Sequence, residues 1–92
     1  MEQNKKNPTE QIMEQLEMAF HSASHAYDCA YKAHKAASVA YENAFYHHSM
    51  ESDTYLYAKR AHDAASLSYK SARVSKASAR DALLDYREGA SK

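Results

Sequence analysis

The chain has a single glycine and a single proline in 92 residues. Strand-rich folds and tight turns depend on such residues as punctuation, so their scarcity argues against a sheet and excludes a glycine-rich phosphate loop. Tryptophan is absent and cysteine occurs once, as Cys29. One thiol cannot build an internal disulfide framework, and it suits a reducing compartment, which points to the cytoplasm. Net charge is lacking as well: 12 Lys and Arg balance 12 Asp and Glu, leaving only six histidines. Bulk electrostatics therefore favour neither a general DNA-coating protein nor an acidic DNA mimic. Polar residues interrupt every apolar run, so no membrane span and no secretory core is expected. The length allows one small domain, near the size at which a lone core becomes thin.

What the chain does contain is helix former, above all alanine. The opening MEQNKKN reads as a polar tail over residues 1–7. In Asn7-Pro8-Thr9-Glu10, asparagine can accept a bond from a free backbone N–H, proline suits the first helical position, and Glu10 completes a capping box. This predicts a helix over 8–48, about 40 residues and ~60 Å long. Residues 49–53 offer several capping side chains for a turn, and a second helix is expected over 54–88. Gly89 is then placed as its C-cap, before a short tail over 89–92.

Both helices carry a heptad repeat. With Ala23 as position a, that register holds Leu16, Ala30, Ala37, Ala44, Ala58, Ala65, Ala72 and Ala79; position d holds Ile12, Ala19, Ala26, Ala33, Ala40, Ala61, Ser68, Ser75 and Ala82. A repeat of small residues every 3.5 positions marks helices that approach closely in a left-handed coil. The stripe is broken only around His47, Glu51 and Thr54, near its midpoint. The fold class expected is therefore all-α: an antiparallel two-helix hairpin with an alanine-rich heptad interface, assembling into a helical bundle. One uninterrupted helix of about 80 residues is the alternative, disfavoured because a long bare helix relies entirely on partners.

Position e carries a ladder: Phe20, Tyr27, His34, Tyr41, His48, Tyr55, His62 and Tyr69. From Tyr27 to Tyr69, tyrosine and histidine alternate every seventh residue. A methyl group buries ~0.8 kcal/mol of surface against about 1.5–3 for a large side chain, so an alanine seam alone is weak. The ladder is expected as an aromatic face, buried against a second copy or against a protein target.

Other constellations carry less. His21, His25 and Cys29 step along one helix at transition-metal spacing, yet two of the three point outward in a hairpin, and no cofactor is expected. No Glu-x-x-His pair occurs, which argues against a di-iron bundle, and nothing around Cys29 suggests an oxyanion hole. A basic stripe is less trivial: Lys59, Arg73, Arg80 and Arg87 share position b, with Lys70 and Lys76 nearby. Clustered arginine and lysine can take a phosphate or an acidic partner. The function expected is a small non-catalytic adaptor or inhibitor that associates with itself and with a protein target through the ladder. RNA, DNA or nucleotide binding through the basic stripe is the second reading, and a purely structural assembly the third; no membrane partner is expected.

Overall fold

The computed structural model describes residues 7–90; of the tail expected over residues 1–7, residues 1–6 lie outside them and Asn7 is the N-cap of the first helix, and residues 91 and 92 also lie outside. Two helices make up the fold: α1 from Pro8 to His47 and α2 from Asp53 to Ala90. They pack along their length as an antiparallel hairpin, 65 Å long and 13 Å in its thinnest direction. The uninterrupted helix is thereby set aside.

The start of α1 follows the local chemistry. The Asn7 side-chain oxygen accepts from the Glu10 N–H at 2.8 Å, and a Glu10 carboxylate oxygen accepts from the Asn7 N–H at 3.2 Å. Two otherwise orphaned donors are satisfied reciprocally, and Pro8 loses nothing at a position that has no intrahelical acceptor. At the far end the extended His48 closes the helix by donating its N–H to the Ala44 carbonyl.

The reversal needs no glycine because serines supply its bonds. Ser49 accepts from the Ser52 N–H through its carbonyl and from the Glu51 N–H through its hydroxyl. Ser52 in turn accepts from the Tyr55 N–H at 3.1 Å and so caps α2. The C-terminal boundary departs from expectation. Gly89 lies inside α2 with a helical, negative φ and caps nothing.

The seam also differs from the a/d pairing read from the alanines. Position a faces the partner helix, with Ala44 buried and Ala23, Ala30, Ala37, Ala58, Ala65, Ala72 and Ala79 half-buried. The d alanines, including Ala26, Ala33, Ala40 and Ala61, are exposed; their place is taken by position e, where Tyr55 and Leu83 are buried. The physical reason is one of size. Steps from e to a and from a to e are three and four residues, so an a/e stripe satisfies the same repeat as a/d. Each ring or leucine at e removes more apolar surface from water than an alanine methyl at d, and the helices rotate to bury it. Ala44, Tyr55 and Leu83 are the only buried apolar residues among those described, and none of them is completely sealed from solvent, so the hairpin's own core is thin.

Candidate functional site

The aromatic ladder closes on itself inside the seam. Tyr27, Tyr69, His34, His62, Tyr41 and Tyr55 form one column in which rings from α1 and α2 alternate, with successive centroids 5.4, 5.3, 5.5, 5.1 and 5.6 Å apart. Each of the four inner rings sits between two rings of the other helix, as the shared seven-residue spacing requires. The column is symmetric: a tyrosine pair at each end, the two histidines in the middle. At one end the Tyr27 and Tyr69 hydroxyls are 3.1 Å apart, and at the other the Tyr41 and Tyr55 hydroxyls are also 3.1 Å apart.

These hydroxyl pairs leave a mark on ionisation. Hydrogen bonding to Tyr41, then burial, pushes Tyr55 above the usual tyrosine value of 10.0. Hydrogen bonding to Tyr27, then burial, does the same to Tyr69, and the charge of Arg73 opposes it. A phenolate would lose the proton its hydroxyl donates within the pair, would be poorly solvated in the seam, and would be repelled by negative charge on its partner ring. The two outer members of the ladder stay out of the column. Phe20 is half-buried with its ring 6.1 Å from that of His21, and His48 is exposed at the end of α1. Six of the ladder's rings thus pack against one another within one hairpin, five of them half-buried, where the sequence pattern placed them against a second copy or a target.

Two broad sides flank that seam. Position b of both helices lies on one, as the Arg87–Glu17 ion pair across the hairpin shows, at 3.1 Å. Position d lies on the other, where Ala40, Asn43, Ala44, His47, Thr54 and Ala58 line a shallow groove between the helices. The two sides differ sharply in charge. From Ile12 to Asp85, nearly half of the b and f positions carry an acid or a base, whereas Asp85 is the sole formally charged residue at the d and g positions. That contrast was present in the sequence, but it becomes a contrast of surfaces only once the a/e seam is known.

The basic stripe is divided by its partners. Lys59 bonds Asp63 at 3.1 Å and holds that carboxyl below its ordinary range, while Arg87 is taken by Glu17. Arg80 reaches only its neighbour Asp81, at 3.3 Å, and the Lys76 ammonium stands 4.8 Å over the Tyr27 ring. Lys70 lies exposed on the same helix. Of the weak metal candidates, His25 Nε2 and the exposed Cys29 Sγ are 3.6 Å apart, but no group of three possible ligands forms among the described residues. No described helix is long and apolar enough to cross a membrane.

Comparison with family models, curated proteins and solved structures finds no match.

Proposed function

We propose that this chain is a small non-catalytic binding protein, an adaptor or inhibitor, that works by protein–protein contact from a self-associating helical hairpin. The observation that carries the reading is the uncharged broad side. Surface helices of a solvated hairpin ordinarily alternate charge around their outer faces, as the b and f side does. A side made mostly of alanine and serine lets another helix approach closely while desolvating few ions. It spans 65 Å of hairpin length and two helix diameters of about 10 Å, more than the ~800 Å² each partner contributes to a standard interface. The thin core gives the same pressure from inside, because covering position d also covers the flank of position a. Cys29 lies on this side as a free thiol, which suits the reducing cytoplasm.

The test is solution mass combined with a charge placed on one side or the other. Ala33 stands in the middle of the uncharged side and Ser38 on the charged one. Sedimentation at micromolar concentration is expected to give more than one chain's mass for the native protein and for Ser38→Glu. Ala33→Glu is expected to fall to a single chain while remaining helical by circular dichroism. A native protein with one chain's mass removes self-association, and Ala33→Glu leaving every association intact removes the uncharged side as the contact surface. Very large homo-oligomers would instead favour the purely structural assembly.

A further inference from the structure

We infer that Arg73, Lys76 and Arg80, together with Tyr27, form a binding site for a single phosphate group carried by a small molecule. The site goes beyond the protein-contact reading and lies on the opposite, charged side of the hairpin.

The basic stripe does not act as a unit, because its two ends are neutralised internally: Lys59 by Asp63 and Arg87 by Glu17. What remains is the exposed Lys70 and, following it, a triad at i, i+3 and i+7 of the same helix. Like charges at such spacing repel and destabilise a helix unless something screens them. Neither Arg73 nor Lys76 has a carboxylate partner among the described residues, and Arg80 has only the adjacent, exposed Asp81.

The triad also surrounds a space. Tyr27 from α1 and Arg73, Lys76, Ala77 and Arg80 from α2 line one groove of about 180 Å³. Water occupies ~30 Å³ per molecule in the liquid, so a phosphate group and part of its hydration shell fit there. The small Ala77 side chain leaves the space open. Lys76 is held toward it by the Tyr27 ring, whose face attracts the ammonium at 4.8 Å. Guanidinium forks suit phosphate oxygens and bind them with paired, charge-assisted hydrogen bonds. Tyr27 adds a hydroxyl: when Tyr69 donates within their 3.1 Å pair, the Tyr27 proton is left for an acceptor.

Charge around the triad limits the ligand. Glu17, engaged with Arg87, and Asp81, beside Arg80, stand toward one end, and Asp63, engaged with Lys59, toward the other. The positive surface therefore centres on one groove, with Lys70 as its single extension toward Asp63. A compact phosphorylated molecule matches that extent, whereas a polynucleotide needs successive phosphate contacts along its backbone.

The experiment uses the full chain, with inorganic phosphate and pyrophosphate as probes, followed by NMR chemical shifts at constant ionic strength and pH 7.5. Saturable shifts confined to residues 73–80 and Tyr27 are expected. They should weaken at least about tenfold in Arg73→Gln, as loss of a charge-assisted hydrogen bond implies, and persist in Lys59→Gln. Both substitutions are at exposed positions, and helicity by circular dichroism shows that each variant folds. Absence of saturation, or shifts spread equally over Lys59 and Arg87, would overturn the site. A single-stranded oligonucleotide that binds more tightly than pyrophosphate, with an affinity falling steeply with salt, would overturn the compact ligand in favour of a nucleic-acid surface.

Discussion

His34 and His62 meet across the hairpin, their ring centroids 5.5 Å apart, with a tyrosine from the opposite helix stacked on the outer face of each. This pair is the middle of a column whose ends are closed by hydroxyl contacts. The column, more than the alanines, fixes how the two helices face each other, and the consequences below follow from that.

The terminal hydroxyl pairs should be measurable by a double-mutant cycle. Tyr41→Phe leaves the Tyr55 hydroxyl without its partner in the seam and is expected to lower the melting temperature by about 4–8 °C. The double variant Tyr41→Phe/Tyr55→Phe removes both polar groups and should lose less than twice as much. Strict additivity in thermal melts would mean that the hydroxyls do not interact.

Alkaline pH should loosen the hairpin in a defined direction. Tyr55 and Tyr69 hold their protons more tightly in the folded chain than at the usual value of 10.0. Between that value and their raised folded values the unfolded chain has already released protons that the folded chain keeps, so unfolding is favoured as pH rises. Stability contributed by these groups is full below about pH 10 and is lost above it. Melting curves from pH 8 to 11 should show a decline beginning near 10, reduced in Tyr55→Phe/Tyr69→Phe; an equal decline in that variant would assign the effect to other groups.

Two adjacent leucines report the seam's register. Leu83 at position e is 5% exposed and Leu84 beside it is 49% exposed. Leu83→Ala is expected to cost about 2 kcal/mol, at the low end for a core truncation because the core is thin. Leu84→Ala should stay within roughly 0.5 kcal/mol. Urea titration of the two variants checks this, and equal losses would contradict the a/e register.

Helix ends and capping were legible in the sequence because their causes are local. The Asn7–Glu10 capping box and the cluster of serines after His48 each specify their bonds within four residues. Gly89 misled for the same local reason, since glycine near a helix end usually caps it, yet here nothing in the structure bends the chain at that point. The seam could not be read from the alanines alone. Positions d and e are both compatible with a seven-residue repeat, and only the competition between a methyl at Ala33 and a ring at His34 decides which turns inward. Once that is settled, the ladder changes from a surface to a core, and the uncharged d and g positions become the side left open.

Gly89 also gives a stabilising substitution. A Cβ placed there meets nothing within 4 Å and φ is helical. Gly89→Ala is expected to raise stability by about 0.5 kcal/mol, through the smaller backbone entropy lost on folding. A decrease in the urea midpoint would show that the last turn of α2 needs glycine.

The hairpin itself is tested most directly by one intramolecular distance. Spin labels at exposed positions 14 and 84, with Cys29 replaced by alanine, can be measured by pulsed dipolar spectroscopy after dilution with excess unlabelled protein, which removes contributions between chains. Closure through the ring column places the two sites on neighbouring helices about 10 Å apart at their axes, so a single distance well below 40 Å is expected. A distance near 105 Å, the span of 70 residues in one continuous helix, would contradict the account.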